Sequence, residues 1–277
     1  MSVRITMLSD NTVKTPGLLG EHGVSFLIES GDESLLLDTG EGSVLRHNVD
    51  KLKVDLQRVG KVVLSHGHYD HTGGLKAVLA SGSEKAVFGH PDLFGKKVAI
   101  RKGKRLAIGI PYRREELEQL GATFHLSKDP VEVADGIMTT GAIPRVTDFE
   151  EVDKTLHVEE GGERVRDELR DDLSLIVDTP QGLVLLLGCC HAGVINTLWR
   201  VIGLAGKRRF AAVIGGMHLV SVGEKQLTQT IHTLRSFEID RIFPCHCTGA
   251  KASIRLWNAL GEDRVYLAGV GDRWTFE

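Results

Sequence analysis

The sequence predicts an α/β protein in which two mixed β-sheets pack face to face with helices on the outside. Three observations carry that prediction. The chain opens with strand-like segments joined by tight turns, an antiparallel start. It then alternates strands with helices, and several strands run into glycine-bearing loops. This order, strands and then strand–helix units, occurs twice with no linker or low-complexity tract between the passes, so a single domain over 1–277 is expected.

Each element has its own reason. Val3 to Leu8 alternates in polarity and reads as a strand, and Ser9 to Gly20 is a polar loop bearing Gly and Pro. Gly23–Glu29 and Ser34–Gly40 are strands joined by the Gly31-Asp32 turn. Ser43 to Lys51 is helical, and Val62-Val63-Leu64 is a buried strand. A helix follows from Leu75 to Ala80, then a strand at Lys85–Gly89 and a helical turn at His90–Phe94. Lys96 to Ile110 is basic and irregular, either a solvated hairpin or a flap that meets an anionic substrate. Arg113–Leu120 is a short helix with Glu115 and Glu116 favourably near its start. Ala122–Leu126 and Ile137–Gly141 are strands. The polar, acid-rich stretch 147–172, with Gly161-Gly162, is expected to be an insertion or lid over the site. Leu173–Asp178 and Leu183–Leu187 form a hairpin; Phe210–Ile214, Arg241–Pro244 and Arg264–Leu267 complete the strands. Helices are expected at Val194–Leu204, Glu224–Ser236 and Lys251–Leu260.

Composition excludes several classes. Apolar residues make up 42% and charged residues 26% of 277, ordinary values for a globular chain. A net charge of -3 makes no electrostatic case for nucleic acid or an anionic membrane as a partner. The N-terminal residues lack a long apolar region, and no run approaches the ~20 residues of a membrane span, so a cytoplasmic protein is expected. Cys189, Cys190, Cys245 and Cys247 lack the paired spacing of a zinc ribbon and read as reduced thiols near the site.

The chemistry concentrates in Leu64-Ser65-His66-Gly67-His68-Tyr69-Asp70-His71-Thr72-Gly73-Gly74-Leu75, which follows the apolar strand. Three of the 12 histidines and one carboxylate share six residues, so chance is a poor explanation. His66 and His68 can face one metal while Asp70 and His71 face a neighbour. Neutral imidazoles suit zinc, iron or manganese, and the carboxylate adds a hard ligand.

His-x-His-x-Asp-His after an apolar strand resembles the signature of the metallo-β-lactamase superfamily, whose four-layer αβ/βα sandwich matches the predicted order of elements. Further stretches narrow the resemblance: Glu21–Glu29, Leu37-Asp38-Thr39-Gly40, Thr140–Arg145, Gly188–Gly193, Gly215–Leu219 and His246-Cys247-Thr248-Gly249. Together they are similar to the branch of the archaeal 7,8-dihydropterin-6-methyl-4-(β-D-ribofuranosyl)aminobenzene-5'-phosphate synthase. The resemblance places His246 as the last metal histidine. Two departures stand out. Gly188-Cys189-Cys190-His191 occupies the place of a bridging aspartate, and the usual Pro-Gly-His-Thr segment is missing upstream. The simplest repair has His191 join His66 and His68 as a ligand, with water, Cys189, Asp171 or Asp172 between the metals.

The remaining expectations concern substrate. His218 and His22 are read as pocket residues, and His90 as a weaker one; His218 has a second-shell alternative. Two divalent ions are expected as cofactors, zinc first, with iron, manganese or magnesium as alternatives. The function expected is hydrolysis of a phosphorylated or ester small molecule, with Asp70 orienting water that two cations activate. A dihydropterin-type transferase releasing pyrophosphate, with Arg145 and the basic flap neutralising phosphates, is the alternative the resemblance implies. A non-catalytic binder that keeps its metals for ligand affinity is the third.

Overall fold

A computed structural model describes residues 2–206 and 209–277. Along the chain the elements are β1 (Val3–Ser9), β2 (Ser25–Ser30), β3 (Glu33–Leu37), α1 (Leu45–Leu52), β4 (Lys61–Val63), α2 (Tyr69–Thr72), α3 (Leu75–Leu79), β5 (Lys85–Gly89), β6 (Lys96–Arg101), β7 (Lys104–Ala107) and α4 (Arg114–Gln119). They continue as β8 (Ala122–Leu126), β9 (Glu132–Ala134), β10 (Ile137–Thr139), β11 (Leu156–Glu160), β12 (Glu163–Arg166), β13 (Ser174–Thr179), β14 (Gly182–Leu187) and α5 (Val194–Ala205). The last are β15 (Arg209–Gly215), α6 (Glu224–Leu234), β16 (Glu238–Ile239), β17 (Ile242–Pro244), α7 (Ala250–Leu260) and β18 (Arg273–Phe276).

Two mixed sheets form the centre of the fold. The first runs β18-β1-β2-β3-β4-β5-β8, and the second β16-β15-β14-β13-β10-β9, with β17 also paired to β15. Side-chain alternation explains the layering. Leu35 and Leu37 of β3 and Val184 and Leu186 of β14 point into one core between the sheets. Leu36 points out, into a second core with Leu45, Val49, Leu75 and Val78 from α1 and α3. Leu183, Leu185 and Leu187 point the other way, into a third core with α5, α6 and α7. A strand apolar on both faces has to be covered on both. The result is the expected helix–sheet–sheet–helix sandwich.

Strands β4, β14, β15 and β17 each have a parallel partner. The loops after these four strands carry His66–His71, Cys189–His191, His218 and His246. Crevices at the carboxyl ends of such strands are where α/β proteins bind ligands.

Two expectations change. Arg264–Leu267 is not the last strand: Val265 makes only an isolated bridge to Ile242, and Tyr266 and Leu267 are exposed. The last strand is β18, which pairs antiparallel with β1. Lys96 to Ile110 is a hairpin, one of its two expected forms, but it is regular rather than irregular, because β6 and β7 pair with each other and β6 pairs with β11 from within 147–172. The basic stretch and the acid-rich stretch thus join in one four-stranded sheet, β12-β11-β6-β7. That sheet is stitched to the histidine loop, where the Tyr69 N–H donates to the Ile108 carbonyl at 2.9 Å.

Candidate metal centre

The histidine loop is held from below. Asp171 accepts the Gly67 N–H at 2.8 Å and pairs at 2.9 Å with Lys97, which also pairs with Asp167 at 2.8 Å; all three charged groups are buried. Position 67 has to be glycine, since a Cβ there would collide with the Leu93 carbonyl oxygen. His68 then opens the short helix α2, which sets Asp70 and His71 side by side.

Hydrogen bonds behind the site decide which ring nitrogens face inward. Ser65 Oγ donates to Asp38 Oδ2 at 2.7 Å, so it must accept from His66 Nδ1 at 2.9 Å. Neutral His66 therefore presents a bare Nε2. His71 Nδ1 lies 2.6 Å from the same Asp38 oxygen. His246 Nδ1 lies 2.7 Å from Asn11 Oδ1, whose amide nitrogen faces His22. Three Nε2 atoms are thereby directed at the site by polar partners behind them, the arrangement that orients metal-binding imidazoles.

These atoms gather into two neighbouring groups. His66 Nε2 is 2.9 Å from His68 Nδ1 and 3.3 Å from His191 Nε2. Asp70 Oδ2 is 3.6 Å from His71 Nε2 and 3.4 Å from His246 Nε2. Cys189 Sγ belongs to both: its set with Asp70, His71 and His246 and its set with His66 and His191 each have all ligand atoms within 4.8 Å. The donor chemistry fits two cations, one held mainly by imidazoles and one by imidazole and carboxylate. The backbone shows the same focus. Of the seven non-glycine residues with positive φ among the described residues, Asp38, Cys190, His218 and His246 are at this site.

Electrostatics divide the groups in the same way. Burial, reinforced by neighbouring imidazoles, holds His66 and His191 well below the ordinary histidine range, hence neutral. Burial dominates at His68 too, with Asp70 opposing it. At His71 burial again disfavours charge, but Asp38 and Asp70 outweigh it and raise the pKa to about 9. Burial opposes ionisation of Asp70, yet His71 and His246 hold its carboxyl well below the usual range. The proton on His71 thus stands where a cation would neutralise Asp70. Burial and Cys247 push the Cys189 thiol up, which a coordinated metal would reverse.

The other expected site residues fall differently. His22 reaches Asp70 Oδ2 at 3.4 Å, and the His218 ring packs on His191 with centroids 4.2 Å apart. Both line a cavity of about 480 Å3 above the candidate metal ligands. Arg145 does not line it; its guanidinium donates to the backbone carbonyls of His191, Ala192 and Glu168. Asp171 is tied to Gly67 and Lys97, and Asp172 accepts the Ala192 N–H at 2.8 Å, so Cys189 alone of the three protein bridging candidates lines the cavity. His90 lies outside it and caps the turn at Pro91–Phe94 by accepting the Asp92 N–H. Sequence reasoning missed the roles of Asn11, Asp38, Ser65, Lys97 and Tyr69. Asp38 and Ser65 stood beside the motifs, whereas Asn11 is an unmarked residue in a polar loop.

The sequence model of the metallo-beta-lactamase superfamily matches residues 19–246. The chain is 32% identical over 253 residues to 7,8-dihydropterin-6-methyl-4-(beta-D-ribofuranosyl)-aminobenzene-5'-phosphate synthase of Methanocaldococcus jannaschii, covering 88% of this chain and 86% of that one. It is 34% identical over 256 residues to an uncharacterised protein of the same archaeon, covering 91% and 93%. Among solved structures, a metal-dependent hydrolase of the β-lactamase superfamily superposes with a TM-score of 0.82 at 28% identity, covering 98% of both chains.

Proposed function

The chain belongs to the metallo-β-lactamase superfamily, and from that premise we propose that it is a dinuclear metal-dependent hydrolase of a phosphorylated or ester small molecule. The observation that carries this is the set of inward-facing donors. His66, His68 and His191 are the proposed ligands of one ion, Asp70, His71 and His246 those of the other, and Cys189 lies between them. Zinc is the first choice for so imidazole-rich a set. Two such ions supply Lewis acidity toward a phosphoryl or carbonyl oxygen and lower the pKa of water toward ~7.

The chain's own residues do the rest. Asp38, Ser65 and Asn11 fix the imidazole tautomers. Asp70 is ionised and faces the cavity, where it can orient an attacking water. His218 and His22 line the cavity, and we read them as substrate contacts.

A second reading is favoured by one observation, the 32% identity to the archaeal synthase over most of both chains. In it, an amine nitrogen attacks the methylene carbon of a pterin-methyl diphosphate; the new C–N bond replaces the C–O bond, pyrophosphate departs and the amine loses a proton. Incubating metal-loaded protein with a phosphodiester, a lactone, and a pterin diphosphate with and without an arylamine separates the readings. Turnover of either of the first two supports hydrolysis, and amine-dependent pyrophosphate release supports transfer. No turnover with tight small-molecule binding marks a non-catalytic binder. His68→Ala should abolish whichever activity is found, and full activity in that variant would overturn the metal mechanism.

A further inference from the structure

The cavity above the metal ligands has a wall of a different kind from its floor. Ligand side chains form the floor, while Tyr69, Leu106, Ile108, Leu156 and Val220 form the wall. Leu106 and Val220 are 44% and 64% exposed at the mouth, so the apolar wall continues to the rim. About 480 Å3 is far more than a bare phosphate or acetyl group needs and suits a ligand of one or two rings.

One cation stands in that wall. Strands β6 and β7 turn through Lys102-Gly103, both with positive φ, so the hairpin is tight and its tip defined. The pairing of β6 with β11 ends at Ala99–Leu156, leaving Arg101 beyond it on the cavity side. Arg105 is engaged with Glu159 at 2.8 Å, whereas the Arg101 guanidinium has no hydrogen bond or ion pair among the described residues. Among the described residues Asp70, on the floor, is the only carboxylate lining the cavity. An arginine held at the mouth of an apolar cavity without a carboxylate partner is arranged to receive an anion from solution.

We infer that Arg101 forms an anion subsite at the cavity mouth, and that the substrate joins an aromatic-sized apolar body to an anionic group remote from the reacting bond. The inference rests on the proposed function only for which end reacts; the subsite itself is a matter of binding.

Aromatic dianions with one carboxylate for the floor and one for the mouth test this directly. Binding of terephthalate against benzoate, and of 2,6-naphthalenedicarboxylate against 2-naphthoate, is measured by calorimetry on the metal-loaded protein. At least one dicarboxylate should bind ~10-fold more tightly than its partner, the worth of a charge-assisted hydrogen bond. Arg101→Ala should erase that gain and leave monocarboxylate binding unchanged, and Arg101→Lys should keep part of it. No gain with either spacer, or a gain that survives in Arg101→Ala, overturns the subsite. Failure of the proposed reaction reads out separately, as absence of turnover with the Arg101-dependent gain intact.

Discussion

Asp38 shows how much of this site rests on residues that touch no substrate. It is fully buried, its φ is +59°, and its carboxylate accepts from the Ser65 N–H, the Ser65 hydroxyl and His71 Nδ1. Asparagine has one acceptor oxygen, so Asp38→Asn sets an amide N–H against either Ser65 or His71. Where it faces His71, the His71 proton shifts toward Nε2, the atom whose lone pair a metal would need. Asp38→Asn should weaken one metal equivalent by ~10–100-fold, the usual effect of losing such a partner. Competition titration against a chromophoric chelator reads it, and unchanged affinity for both equivalents would show that Asp38 does not set the tautomer. At this scale the sequence was partly legible. Histidines close together in the chain announced themselves as candidate ligands, whereas Asn11 acts across 235 positions on His246 and leaves no local pattern.

At the scale of elements, legibility followed burial. Leu183–Leu187 and Phe210–Ile214 are packed on both faces, and their apolar runs were read as strands. The β11–β12 hairpin went unread because β12 is exposed along its length and both strands carry charges, so only the Gly161-Gly162 turn was visible. β18 alternates exposed and buried residues over four positions, the same length as Arg264–Leu267, so the local pattern gave no ground for preferring it. The segment 147–172 is nevertheless anchored. Glu150 is buried and accepts the N–H groups of Ile195 and Asn196, each at 2.9 Å, at the start of α5, whose own N-cap is a glycine. A Cβ at Gly193 would strike the Glu150 carboxylate, so the glycine admits a cap from elsewhere in the chain. Glu150→Ala should cost about 1–3 kcal/mol by leaving these donors buried and unmet. Urea unfolding measures the loss, and a change below ~0.5 kcal/mol would mean that water replaces the cap.

At the scale of the whole molecule, four layers bring loops from both sheets to one rim, and burying six imidazole and carboxylate donors there makes the metal-free protein sensitive to pH in two directions. His66, His68 and His191 have folded pKa values well below the ordinary 6.5, so the unfolded chain binds more protons than the folded one as pH falls through 6.5. Their contribution is intact above 6.5 and is lost below it. His71 has the opposite sign. Its folded pKa is raised to about 9, so its contribution is present below 6.5 and is lost as pH rises through 9. The chelator-treated protein should therefore unfold at lower urea at pH 5 than at pH 7.5, and at lower urea again above pH 9. Zinc should flatten the acid limb. Bound metal competes with protons for the same lone pairs, so the midpoint rises with metal concentration until acid displaces the ions. Denaturation midpoints across pH 5 to 9.5, with and without zinc, decide the matter: a metal-free profile that is flat through 6.5, or one that zinc leaves unchanged, would mean that these imidazoles are not gathered and neutral in the folded chain.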